Sequence, residues 1–512
     1  MSSVRWITIL VLLALVLGVN TLPGAGQASA DTLTFVQGAD VVSFDPHRTV
    51  ELVSGNVNTK IYGRLVALDE KGGIEPELAT KWSVTPDGMT WTFELRRNVV
   101  FHDGAPFNAE AVRVNFERML DSRLPTSRLL AGITRVVPVG SHAVRIETAA
   151  PFGPLLYNLT HYSIAFISPK ALAEGVDVAR QPVGTGPFRF VSWTPKEAVV
   201  LEAFSRYWGT KPSLRRVVFR AVPDDATRAL LLETGEADIV ANLAVQDVDR
   251  LRNRQGIQVG VYPFNRVIYI MINTQRGPLQ DARVRQALNY AVNKVAIARA
   301  IMRNLAEVPC SVVSKTTFGY SKAECYSHNP SKAKALLAQA GYPDGLELRF
   351  ISPSGRYLMD RETAEAVQAQ LADVGIRARL TLMEWATFLS DARRPAAQAT
   401  YDLALWGFGP ATNDSDFQLN TLFHSSAFPP GGNNIAHYRN EAVDRLINEA
   451  RATVDVEKRK AIYAQTFPVI MRDAPAIFLH EVKQIYGYRT NVQGLKFYPI
   501  ELVGITEVVK SR

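Results

Sequence analysis

The sequence predicts a mixed α/β (α+β) fold. Period-two and short continuous apolar runs read as strands, and apolar stripes at helical spacing read as helices. The two kinds alternate along the chain, without a fixed-period repeat or a low-complexity linker. The chain has 512 residues, 47% hydrophobic and 21% charged, and these are globular proportions. At ~100–200 residues per domain, this length suggests two to four domains. The net charge of +8 is spread over the chain, and no stretch concentrates it as a nucleic-acid arm would.

Residues 1–30 read as an export signal. Arg5 supplies the positive end, and Ile7 to Val19 is apolar except for Thr8. That run is too short for a bilayer core of ~30 Å. Pro23 and Gly24 break it, and Ala28-Ser29-Ala30 offers small residues for cleavage before Asp31. An uncleaved signal anchor is the alternative. Asp31 follows the cut and no cysteine stands nearby to take a lipid, so the expectation is a soluble periplasmic protein and not a lipoprotein. No later segment approaches 18 consecutive apolar residues.

Leu33 to Gln37 reads as a buried strand, and Pro86-Asp87-Gly88 as a turn. Trp91, Phe93 and Leu95 alternate with polar residues, the pattern of a half-buried strand. Asn108 is placed to cap a helix carrying Val112, Phe116 and Leu120. Val217 to Val222 and Val267 to Ile272 are continuous apolar runs, read as buried strands. Val284, Leu288, Ala291, Val292, Val295 and Ile301 fall on one helical stripe. Pro330 opens a helix that stops at Gly341, and further helices are predicted over 360–373, 441–452 and 456–472. Strand-like pieces lie at 346–351, 376–382 and 401–406.

In an oxidising compartment, Cys310 and Cys325 are expected to close a loop as a disulfide. Two buried free thiols are the alternative. Signatures of catalysis are missing: there is no G-x-S-x-G, no H-E-x-x-H and no P-loop. Gly184-Thr185-Gly186-Pro187 lacks a third glycine, and Pro187 removes a backbone donor, so it reads as a structural turn. His424 and His437 are weak as metal ligands, and the pair Asp414/Asp416 is weak evidence for acid–base work. No enzyme activity, metal or cofactor is expected.

Several blocks carry a resemblance. They are Ala79-Thr80-Lys81-Trp82, Pro86 through Arg96, Phe101-His102-Asp103-Gly104 and Pro182 through Phe188. They continue with Tyr207-Trp208, Lys211-Pro212, Gly235 through Ile239, Asp281 through Ala291 and Ala340 through Gly345. In this order they resemble the extracytoplasmic solute-binding proteins of family 5, the peptide/nickel/opine-binding components of ABC importers. Leu405 through Phe423, with Phe428-Pro429-Pro430, Asn434, Tyr438 and Asp473-Ala474-Pro475, is most similar to the glutathione-binding branch.

The resemblance implies a two-lobed periplasmic binding protein of the large peptide-binding type, with a ligand cleft between the lobes. Lobe I would hold 31–271, with a subdomain near 50–180. Lobe II would hold 272–484, and 485–512 would return to lobe I. The implied function is capture of a short peptide, glutathione or a similar small solute by a monomer and delivery to the permease subunits. A nickel chelate, an opine or an oligosaccharide is the alternative on the same scaffold, and a secreted hydrolase is a more distant one. Arg356 sits where dipeptide binders place an arginine against the ligand carboxylate, and an exposed surface arginine is its other reading. Dipeptide-binding relatives usually carry Asp-Pro-Asp where this chain has Asn413-Asp414-Ser415-Asp416. Asp414 or Asp416 is the implied partner of a ligand ammonium. Trp385, Trp406, Phe408 and Phe417 are candidate walls or core residues, and Thr412 is a further candidate.

Overall fold

The computed structural model describes residues 31–511. The predicted export signal lies outside them. The central element is an eleven-stranded mixed sheet. From one edge it runs Ile376–Met383, Leu346–Pro353, Leu403–Phe408, Ile257–Ile272, Ala476–Arg489, Ile239–Ala241, Thr32–Gln37, Arg216–Ala221, Ala198–Ala203 and Phe188–Thr194. Ala306–Glu307 pairs to one side of this path. A separate antiparallel sheet comprises Ala79–Val84, Thr90–Leu95, Ala143–Thr148 and Ile133–Pro138.

The two longest strands, Ile257–Ile272 and Ala476–Arg489, lie side by side in the middle of the large sheet. Beyond their mutual pairing, Ile257–Ile272 pairs with Leu403–Phe408 of one half, and Ala476–Arg489 pairs with Ala306–Glu307 of that half and Ile239–Ala241 of the other. Their apolar run has a physical reason. Ile268, Ile270 and Ile272 face a core shared with Leu288, Phe350 and Val367. Val267, Tyr269 and Met271 face the opposite core, with Trp406, Leu419 and Phe467. A strand covered on both faces needs no polar alternation.

The small sheet follows the other rule. Trp91, Phe93 and Leu95 are buried beside Phe116 and Phe166, and Thr92 and Glu94 face outward. Asn108 caps the helix Ala109–Met119 through the Ala111 N–H at 2.9 Å. At the Gly184–Gly186 turn, side chains would collide with the carbonyls of Ile61 and Lys60, so close backbone approach explains the glycines.

The stripe from Val284 to Ile301 is not one helix. It divides into Ala282–Ala291 and Lys294–Ala300, because Asn293 caps the second through Ala296 N–H. Val295 is consequently exposed. The run Val267 to Ile272 is only the end of a strand ten residues longer, whose first part mixes polar and half-buried positions. The last described strand returns to the start of the chain. The Lys510 ammonium, buried, meets the Asp238 carboxylate at 2.9 Å and donates to the Thr32 carbonyl at 3.0 Å.

Cys310 and Cys325 form a disulfide with Cα atoms 4.9 Å apart. It closes a loop whose Val312 and Val313 are fully buried. Replacing both cysteines with serine is expected to lower unfolding free energy by about 3 kcal/mol on chain-entropy arithmetic for a loop of this length. Denaturant unfolding of the variant against the oxidised wild type measures it, and equal midpoints would remove the disulfide from the stability of this half.

Candidate ligand cavity

A cavity of about 960 Å³ opens where the two halves meet. Val50–Val53, Tyr162, Asn242–Ala244 and Glu501 line one side, and Phe264–Arg266, Ser354–Glu362, Gly409 and Lys483 line the other. Its floor is a defect in the central strand pair. Pro263 is opposite Lys483, but Val267 is already opposite Glu481, so Phe264, Asn265 and Arg266 share one partner position. Such a bulge bends the strand and re-aims its side chains. Asn265 is held by Nδ2 bonds to the Pro410 carbonyl at 2.7 Å and Asn413 Oδ1 at 3.1 Å. Gly409 packs against the bulge, where a Cβ would stand 2.6 Å from Asn265 Oδ1.

Arg356 is carried by the loop that ends strand Leu346–Pro353. The buried Asp360 carboxylate accepts the backbone N–H groups of Gly355, Arg356, Tyr357 and Arg361 at 2.8–2.9 Å. This fixes the loop and leaves the Arg356 side chain exposed to the cavity. The guanidinium lies over Trp385 at 5.1 Å and Tyr357 at 5.2 Å. Trp385 in turn stacks on Phe388 and touches Trp406. Trp385 and Trp406 therefore form a second layer beneath Arg356.

Some charges in the cavity wall are already engaged. Arg228 meets Asp225 and three backbone carbonyls. Lys483 pairs with Glu307. Arg266 packs over the Phe264 ring at 4.6 Å, and like Arg356 it donates to no carboxylate of the described residues. Burial pulls the Arg266 pKa below its ordinary value, Glu501 works against that and Arg356 adds to it. Three non-glycine residues of the lining, Asn242, Met359 and Glu501, have φ between 54° and 63°. Backbone in this region is costly for L-residues and clusters where a surface must be shaped closely.

Of the residues singled out in the sequence, Arg356 lines this cavity. Thr412 and Asp414 follow the lining residue Ala411 in a buried loop, and Asp416 stands buried in the first turn of the helix Ser415–Leu422. Asp414 meets a cation of its own chain: Arg459 Nη2 lies 2.6 and 2.7 Å from its two oxygens. Tyr463 donates to it at 3.3 Å. Burial works against the Arg459 charge, but Asp414, Tyr463 and Asp416 outweigh it and hold the guanidinium above its ordinary range. Arg459 Nη1 also donates to the Gly153 carbonyl at 3.2 Å, and Asn413 Nδ2 donates to the Gly72 carbonyl at 3.3 Å. These bonds tie the loop to the opposite half. Phe408 stacks on Phe417 at 6.0 Å, and Phe417 packs against the core of the small sheet. His424 and His437 are held in separate surroundings, His424 by Ser426 and His437 against Tyr401 and Phe428.

Arg266, Asn265, Tyr357, Glu51 and Glu501 were not singled out from the sequence. For Arg266 a signal existed: a Phe-Asn-Arg step interrupts an otherwise strand-like run just before Val267.

A mixed sheet with two central strands crossing between halves, and a cavity at the crossing, defines a two-lobed solute-binding protein. Residues 73–430 match the family described as bacterial extracellular solute-binding proteins, family 5. A glutathione-binding protein GsiB of Pectobacterium atrosepticum is 32% identical over 468 residues, 90% of this chain and 91% of that protein. The structure of HbpA2 from Haemophilus parasuis superposes with a TM-score of 0.84 at 28% identity, over 94% of this chain and 100% of that one. The periplasmic binding protein DppA from Helicobacter pylori, in complex with the peptide STSA, gives a TM-score of 0.78 at 28% identity, over 94% and 98%. The chain belongs to family 5 of the bacterial extracellular solute-binding proteins, the substrate-binding components of ABC importers. Among the described residues, no helix is long and apolar enough to cross a membrane.

Burial raises the Asp416 pKa from 3.8 to about 6, with Arg451 opposing and Asp414 adding to the effect. A folded-state value above the unfolded one favours the protonated form. Its stabilisation is complete below the unfolded value and is lost as pH rises to about 6. Asp416→Asn should therefore gain on the wild type by about 2–3 kcal/mol between pH 4 and pH 7. Urea unfolding across that range reads the difference, and a pH-independent offset would reject it.

Proposed function

We propose that this protein captures a short peptide-like solute, with glutathione as the leading example, in the inter-lobe cavity and delivers it to the permease of an ABC importer. The observation that carries the reading is the Arg356 guanidinium. It is held over Trp385, has its backbone fixed by Asp360, and faces a cavity large enough for a tripeptide-sized solute. A guanidinium fork suits a carboxylate bidentately. The names of the relatives support peptide-like ligands: one binds glutathione and another holds a tetrapeptide.

In this reading the protein is an exported periplasmic monomer, cleaved near Ala30, with 31–271 and the C-terminal segment as one lobe and 272–484 as the other. The central strands Ile257–Ile272 and Ala476–Arg489 carry the hinge. Ligand closes the lobes by stabilising the closed form over the open one, and the closed form is what the permease receives. Asp414 meets a ligand ammonium only if Arg459 gives up its pair, and Asp416 only if its buried carboxylate, held by Asn420, is uncovered. Trp385, Trp406, Phe408, Phe417 and Thr412 support the wall instead of touching the solute.

Titration calorimetry against glutathione and di- to tetrapeptides should give one tight partner with no turnover. Arg356→Gln should weaken that partner by about 10- to 100-fold, the worth of a charge-assisted hydrogen bond. Tight binding confined to a nickel chelate, an opine or a sugar would overturn the reading.

A further inference from the structure

A second guanidinium faces the same cavity from a different element. Arg356 comes from the loop after strand Leu346–Pro353, and Arg266 comes from the bulge in the central strand pair. Arg266 is half-buried, rests on the Phe264 ring, and has no carboxylate partner among the described residues. Its neighbours are fixed. Asn265 is tied on both sides, and Gly409 fills the space behind the bulge. Arg361 and Glu362 also line the cavity, but as exposed side chains in the first turn of the helix Asp360–Ala372.

Arg266 is half-buried and bonded to no carboxylate, with Glu501 acting on it only through space, so an anionic ligand group in direct contact would offset its desolvation. Arg356 is near enough to act on Arg266 as a like charge. Like charges held together in a wall suit a ligand that brings more than one negative group. The opposite wall carries the complementary sign. Glu51 and Glu501 both act on Tyr162, whose hydroxyl is held by the Val50 carbonyl, and neither carboxylate has an ion-pair partner among the described residues.

We infer that Arg266 is a second carboxylate anchor, so that the cavity selects peptides bearing two carboxylates and an ammonium over peptides with one carboxylate. Arg356 takes one carboxylate, Arg266 the other, and Glu51 with Glu501 receives the ammonium. The inference rests on the peptide reading of the cavity. It adds a prediction that the reading alone does not make: amidation of either ligand carboxylate is penalised, each through a different arginine.

The test is titration calorimetry of wild type, Arg266→Gln, Arg266→Lys and Arg356→Gln. The probes are glutathione, its two mono-amides (one at each carboxylate) and trialanine. Thermal melting of each variant monitors folding. Wild type should bind glutathione at least tenfold more tightly than either mono-amide or trialanine. Arg266→Gln should lose its discrimination against one mono-amide, and Arg356→Gln against the other. Arg266→Lys, which keeps the charge without the fork, should fall between wild type and Arg266→Gln. Unchanged glutathione affinity in a folded Arg266→Gln, with Arg356→Gln weakened, would overturn the second anchor and leave the peptide reading standing. Equal wild-type affinity for glutathione and both mono-amides would do the same. No wild-type binding of any of these peptides would overturn both.

Discussion

The geometry of the cavity depends on one local mismatch in the central strand pair. The pairing of Ile257–Ile272 with Ala476–Arg489 slips between Pro263 and Val267. On one side of the slip the strands build one half of the molecule, and on the other side they build the second. A regular ladder would have placed the side chains of 264–266 alternately into the two packed faces. The bulge instead delivers them to the space between halves, where the Asn265 N–H donates to the Pro499 carbonyl at 2.9 Å, the Phe264 carbonyl accepts from Ser314 Oγ at 3.1 Å, and the Asn265 side chain is tied to the 410–413 loop. The site and the connection between lobes are therefore built from the same residues.

Charge is managed differently in the loop and in the cavity. At Asp414 and Arg459 both partners are almost fully buried and paired, with Tyr463 bonded to each. Buried pairs of this kind specify geometry more reliably than they add net stability. In the cavity Asp225 is taken by Arg228 and Asp360 by backbone N–H groups, whereas Arg266, Arg356, Glu51 and Glu501 are left without an ion-pair partner among the described residues. The many exposed pairs elsewhere, such as Arg377 with Glu347, contribute little by comparison.

Much of the fold was legible in the sequence because periodicity records burial. The alternation at Trp91–Leu95, the Asn108 cap and the helix from Pro330 to Gln339 stand where their patterns place them. The break at Val292–Asn293 was hidden because the apolar stripe continues in register across it. The first half of the strand from Ile257 was hidden because one side of it is half exposed. The site was less legible. Arg356 was singled out through a resemblance to relatives and lines the cavity, whereas Arg266 owes its place there to a register slip that only the partner strand reveals. Asp414 drew attention as a loop acid, but its partner Arg459 is 45 residues away on a helix whose pattern gave no hint of a buried cation.

The contact between Lys510, Asp238 and Thr32 joins residues as far as 478 positions apart. It sets a temporal order for the molecule. During synthesis the sheet around Thr32–Gln37 has its neighbours Arg216–Ala221 and Ile239–Ala241 early, but Ala476–Arg489 and Lys510 emerge only at the end. Loop closure over such a span must precede the contacts that reward it. A nascent chain is thus kept from completing its central sheet until nearly all of it has been made.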